Sequence, residues 1–221
     1  MAPFAFQWHI TDACDQRCKH CYIFAENNFK ALDSMSFDQM LTTLDNCEEF
    51  CRTFKRRPLF YITGGDPILH RDFWALLDVL HKKNYPFTVM GNPFHLDDDV
   101  CRQLKSLDCR KYQMSLDGLR DTHDFFRKAG SFDTTLEKIS VINRAGLRSV
   151  IMTTVSARNV DEIPALIDVV AQQLACRRVP DSRVGNVFND RLTALWLDQM
   201  EAYRDFVIID KITKAEDIAL S

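Results

Sequence analysis

Two hydrophobic periods take turns along most of this 221-residue chain, and that alternation leaves few folds open. "FAFQWHIT" repeats every second residue, with Phe4, Phe6, Trp8 and Ile10 on one face and Ala5, Gln7, His9 and Thr11 on the other. Such a stretch is a strand with one apolar and one polar side. In "SFDQMLTTLDNCEEFCRTF" the spacing of Phe37, Met40, Leu41, Leu44, Cys47 and Cys51 is helical, and Ser36 with Gln39 predicts a capping box. "PLFYITGG" then reads as strand, "RDFWALLDVLHKK" as helix, "PFTVMGN" as strand and "DDDVCRQLKSL" as helix. "RKYQMSLDG" alternates again, Tyr112, Met114 and Leu116 against Gln113, Ser115 and Asp117. A helix from about Phe132 to Ala145 ends at Gly146, a natural C′ residue. "LRSVIMTTVS" is a fifth strand, and "NVDEIPALIDVVAQQLA" a helix opening on Asn159 with Glu162 as its capping box.

Strand then helix, five times over, predicts a parallel sheet with right-handed crossovers. Strands of a flat doubly wound sheet are apolar on both faces, whereas the first and fourth strands here keep a polar one. The fold expected is therefore α/β, a partial (β/α)6-type parallel barrel, that is, an incomplete TIM-like barrel. Its sixth strand is poorly defined, because "CRRVPDSRVGN" follows Ala175 without an apolar run. Residues 1–206 are expected to form the core domain, closed by the amphipathic "LTALWLDQMEAYRDF", and 207–221 a tail without assigned role. Chemistry in such folds gathers past the C-terminal strand ends, where Cys14, Gly64, Asn92 and Asp117 fall. A net charge of −3 leaves no footprint for nucleic acid or an anionic membrane. No apolar run approaches the roughly 20 residues that span a bilayer. "MAPFAFQWHITDAC" lacks the parts of a secretion signal. Eight cysteines are then expected in a reducing cytoplasm, where clustered thiols favour metal or redox chemistry.

Three of those cysteines crowd into "CDQRCKHCY": Cys14, Cys18 and Cys21. A structural zinc site takes four protein ligands, and His20 would complete a Cys3His set. Three thiolates on an iron–sulfur cube instead leave one iron open, since a fully protein-held [4Fe–4S] cluster takes four. This CxxxCxxC loop after the first strand resembles the signature of the radical S-adenosylmethionine (SAM) superfamily. The resemblance implies that Cys14, Cys18 and Cys21 hold a [4Fe–4S] cluster whose open iron chelates the amino and carboxylate groups of S-adenosylmethionine. One electron then cleaves the cofactor to a 5′-deoxyadenosyl radical that abstracts hydrogen from substrate.

"TGGDP" ends the second strand and resembles the GGEP motif of that superfamily, so Gly64, Gly65 and Asp66 are expected at the cofactor's amino group, with Asp in place of the usual Glu. Glycines admit close approach, and a carboxylate suits an ammonium. "MSLDG" ends the fourth strand, and the resemblance assigns Ser115 to the cofactor's ribose or carboxylate and the later Arg127 to its carboxylate, with Asp117 expected among the cofactor-binding residues. A planar guanidinium grips a carboxylate with two prongs. Asn92 stands at the family's third-strand position, and His20 at a usually aromatic one beside the adenine. Cys47 and Cys51 share a helix's apolar stripe and read as core thiols. The match is best to the peptide- and protein-modifying (SPASM-type) branch, implying a peptide or protein substrate and a flavodoxin- or ferredoxin-type reducing partner. Neither the branch's C-terminal auxiliary-cluster domain nor a leader-binding domain before the first strand is expected in these residues. Action on a small metabolite, and a non-enzymatic zinc module, stand as the other readings.

Overall fold

The computed structural model describes residues 1–25 and 32–175. Strands β1 (Pro3–His9), β2 (Arg57–Thr63), β3 (Phe87–Met90), β4 (Tyr112–Ser115) and β5 (Ser149–Met152) alternate with helices. These are α1 (Phe37–Thr53), α2 (Phe73–Lys82), α3 (Asp98–Ser106), α4 (Arg120–Phe126), α5 (Ser131–Arg144) and α6 (Ile163–Ala175). All five strands are parallel and lie in chain order, β1-β2-β3-β4-β5. This is the open parallel sheet of a partial (β/α) barrel, as the periodicity predicts. The sixth-strand region, the amphipathic C-terminal segment, the tail and Cys176 lie outside the described residues. No helix among the described residues is long and apolar enough to cross a membrane.

Among the described residues, contacts divide the chain into two compact units, residues 1–115 with Val141–Met152, and Leu116–Ser140 with residues 153–175. The first unit holds the sheet. Its α1 begins with the expected capping box: Ser36 Oγ accepts from Gln39 N at 3.2 Å, and Gln39 Oε1 accepts from Ser36 N at 2.7 Å. The apolar face of β1 meets an aromatic cluster, Phe6 stacking on Phe60 with centroids 5.6 Å apart and Phe4 packing on Phe50 at 4.7 Å. Phe60, Ile62, Phe87, Val89 and Tyr112 are inaccessible to solvent, as are Phe73, Leu76, Leu77 and Leu80 of α2. Each such side chain contributes roughly 1.5–3 kcal/mol by leaving water. Cys51, Cys101 and Cys109 are buried with them, and burial pushes the Cys109 thiol up to about 12, so these are inert core groups. Cys47, expected beside Cys51 in the core, is only half-buried at the edge of the stripe.

In the second unit two expectations are corrected. Helix α4 was not anticipated, because its seven residues, RDTHDFF, carry no apolar stripe long enough to register. The capping box on Asn159 and Glu162 does not form, and α6 begins only at Ile163 after a 3₁₀ turn, Val160–Glu162. Asn159 Nδ2 donates to the carbonyls of Asp117 (2.7 Å) and Thr154 (2.8 Å). The Glu162 carboxylate accepts from Leu119 N (2.7 Å) and Thr122 Oγ1 (2.6 Å). A local cap is worth about 1 kcal/mol, whereas a buried backbone group left unpaired costs about 1–3 kcal/mol. The distant, buried partners win.

Candidate functional site

The register His9↔Thr63 brings the residues after β1 alongside those after β2. Backbone bonds continue the pairing past the strands: Ile10 N to Thr63 O at 3.0 Å, Gly65 N to Thr11 O at 2.7 Å and Asp66 N to Ala13 O at 2.7 Å. The cysteine loop is thereby fastened to the end of β2 immediately before Cys14. Both glycines are needed for this. A Cβ on Gly64 (φ +153°) would lie 2.2 Å from Thr11 O, and one on Gly65 2.3 Å from Ala13 O. The close approach that the glycines permit is thus, in this structure, that of the loop's own backbone.

Cys14, Cys18 and Cys21 are each half-buried. Cys14 Sγ accepts from the backbone N of Gln16 (3.4 Å) and from Asn92 Nδ2 (3.2 Å). Cys18 Sγ donates to Oε1 of the buried Gln16 at 3.5 Å, and Cys21 N closes a turn on Cys18 O at 3.0 Å. Arg17 ties the loop by donating to the carbonyls of Cys14 (2.8 Å) and Gln16 (2.7 Å). Burial pushes the Cys14 thiol up, and the Asp15 and Asp66 charges add to that, against the pull of the two N–H donors. Donors already aimed at that sulfur fit a thiolate bound to metal, which deprotonation on binding would supply.

Asp66 is wholly inaccessible to solvent and makes no side-chain cap bond to the 3₁₀ turn Pro67–Leu69 that follows it. Its Oδ1 accepts a long bond from Asn92 N, and its Oδ2 has no hydrogen-bond partner. Burial, and behind it the nearby Asp15 carboxylate, push the acid up to about 7. A buried carboxylate oxygen without a donor fits a cationic N–H group brought by a ligand. Asn92, held by Tyr112 Oη donating to its carbonyl at 3.1 Å, also donates through Nδ2 to Asp15 Oδ1 at 2.6 Å. Asp15 Oδ2 lies 3.3 Å from His95 Nε2. Asp15 and His95 were not singled out in the sequence. The one signal available was a carboxylate directly after the first cysteine.

Ser115, half-buried, ends β4 opposite Met152, and His20 is half-exposed on the cysteine loop. Asp117 and Arg127 belong to the second unit. There Arg127 Nε pairs with Asp117 Oδ2 at 2.5 Å, and Asp117 Oδ1 accepts from Thr154 N at 2.9 Å. With the two side chains 13% and 1% exposed, Arg127 is a half-buried cation paired to a buried carboxylate and not a solvated helix charge.

Residues 8–170 match the model of the radical SAM superfamily. Over 167 residues the chain is 26% identical to the Fe-coproporphyrin III synthase of Methanosarcina barkeri, covering 75% of this chain and 40% of that protein. Over 197 residues it is 26% identical to the mycofactocin maturase MftC of Mycolicibacterium smegmatis, covering 86% and 48%. Among solved structures, Streptococcus suis SuiB bound to S-adenosylmethionine superposes with a TM-score of 0.62 at 15% identity, over 78% of this chain and 39% of that one. That likeness is one of fold. The chain spans less than half the length of each of these proteins.

Proposed function

Because the chain belongs to the radical SAM superfamily, a family of enzymes, we propose that it carries out radical chemistry on a peptide or protein side chain. Family membership implies S-adenosylmethionine and a [4Fe–4S] cluster. The observation that supports their placement is the cysteine loop fastened to the GGDP strand end, with the unpartnered Asp66 Oδ2 beside it. Cys14, Cys18 and Cys21 would hold the cluster, and Asp66, beyond Gly64 and Gly65, the cofactor's amino group. Asn92 orients Cys14 through its bond to the sulfur. The resemblance keeps His20 for the adenine, Ser115 for the ribose or carboxylate and Arg127 for the carboxylate, with Asp117 among the cofactor-binding residues. When bound, cluster and cofactor supply a 5′-deoxyadenosyl radical able to abstract a substrate hydrogen, the electron coming from a flavodoxin- or ferredoxin-type partner.

A peptide substrate is supported by the maturase MftC and by the structure of SuiB bound to its precursor peptide SuiA. The similarity to an Fe-coproporphyrin III synthase favours a second reading, action on a tetrapyrrole-sized metabolite.

Anaerobically reconstituted protein is expected to hold about four iron and four sulfide per chain, and a strong reductant should make it convert S-adenosylmethionine to 5′-deoxyadenosine and methionine. Replacing any of Cys14, Cys18 or Cys21 with Ala should abolish both. Stoichiometric zinc without sulfide would overturn the reading, and S-adenosylhomocysteine as the product would make the chemistry methyl transfer. Acceleration of 5′-deoxyadenosine release by a candidate precursor peptide or by a tetrapyrrole precursor of Fe-coproporphyrin III decides between the two substrate classes.

A further inference from the structure

Two carboxylates converge on one point beside the cysteine loop, and nothing in the superfamily's motif accounts for the second. An oxygen of Asp15, an oxygen of Asp66 and a ring nitrogen of His95 all lie within 4.8 Å of one another. Asp66 is fully buried with Oδ2 unpartnered, and Asp15 is fixed from both sides, by Asn92 Nδ2 on Oδ1 and by His95 Nε2 near Oδ2. We propose that Asp15 is a second carboxylate for the ammonium group of bound S-adenosylmethionine, with Asn92 and His95 as its positioning residues.

The inference rests on reading this strand end as the cofactor site. Asp66 is fully buried and Asp15 half-buried, and like charges this close repel unless a proton or a cation sits with them. The donors the two carboxylates receive are amide N–H groups and the exposed His95 ring, and none of them bonds Asp66 Oδ2, so that oxygen is left to a ligand. A primary ammonium has three N–H donors and a compact charge, enough to bridge two carboxylates at once. The position is right as well: Asp15 follows Cys14 directly, and Asn92 bonds both Cys14 Sγ and Asp15 Oδ1.

The test uses the full chain with its cluster reconstituted, and measures binding of S-adenosylmethionine and of its desamino analogue, in which hydrogen replaces the amino group. Asp15→Asn is expected to keep its iron and sulfide, lose roughly ten- to hundredfold in affinity for S-adenosylmethionine, and bind the analogue as the wild type does. Asp66→Asn should do the same, and the double variant should lose less than the product of the two, because one group serves both. Should Asp15→Asn fail to take up a cluster, Asp15→Glu decides: a changed preference between cofactor and analogue supports the contact, and an unchanged one overturns it. Wild-type affinity in Asp15→Asn while Asp66→Asn loses it overturns the role of Asp15 alone. If wild-type protein does not distinguish cofactor from analogue, the reading of the site itself fails. Binding of one Mn²⁺ per chain to cluster-free wild type, lost in Asp15→Asn, would make the trio a metal site and overturn the proposal.

Discussion

Asp66 combines complete burial, a neighbouring carboxylate and an oxygen without a donor, and each of these disfavours its charged form. Its acid is pushed up to about 7 in the folded chain, against about 3.9 for an unperturbed aspartate. The folded state therefore holds this proton more tightly than the unfolded one. Raising the pH from about 4 to about 7 should lower the stability of cofactor-free protein, by up to about 4 kcal/mol from this group, and the loss should level off above that. Denaturant unfolding at several pH values, wild type against Asp66→Asn, isolates the effect; a pH-independent difference between them would show that Asp66 carries no such penalty. Arg127 poses the opposite problem. Arg127→Ala, the obvious probe of a carboxylate contact, also strips the charged partner from the buried Asp117, and breaking such a pair costs about 3–5 kcal/mol. The paired variant Asp117→Asn/Arg127→Gln should be clearly more stable than Arg127→Ala, as unfolding free energies would reveal, and is the better background for binding measurements.

At the scale of elements, the junction between the β1 loop and the end of β2 is the most sensitive point. Gly65→Ala would drive a methyl to within 2.3 Å of Ala13 O and 2.7 Å of Asp12 O, both backbone atoms that cannot rotate aside. The variant should lose on the order of 1–3 kcal/mol, the usual range for overpacking, and with it the registration of Cys14. Iron and sulfide analysis after reconstitution checks this; full cluster content in a stable Gly65→Ala protein would separate the glycine from the cysteine loop. The second unit is held by a different device. Its loop after β4 and its turn after β5 are joined by Asn159 and Glu162, side chains that a local reading assigns to a helix start.

For the whole molecule, a cluster held only by the folded chain should stabilise it by mass action. Reconstituted protein should melt above the cluster-free form, Cys14→Ala and Cys18→Ala should erase that difference, and Cys51→Ala should lower both forms while preserving it. Thermal melts under anaerobic conditions test this, and an equal increment in Cys14→Ala would remove that residue from the ligand set. By itself the sequence determined the βα order, the capping box at Ser36, the stop at Gly146, the buried Cys51, and the three-cysteine loop with its TGGDP companion. These are written in local periods and spacings of a few residues, which survive without knowledge of the fold. Tertiary structure alone decided that Asp15, Asp66 and His95 meet, that Asn92 reaches back 77 residues to Asp15, that Gly64 and Gly65 yield to backbone, and that Asn159 and Glu162 leave their own helix. The physical reason is shared: burial sets a price on every unpaired polar group, and the partner that meets it is chosen by parallel strand pairing, whose long crossovers separate in sequence what they join in space.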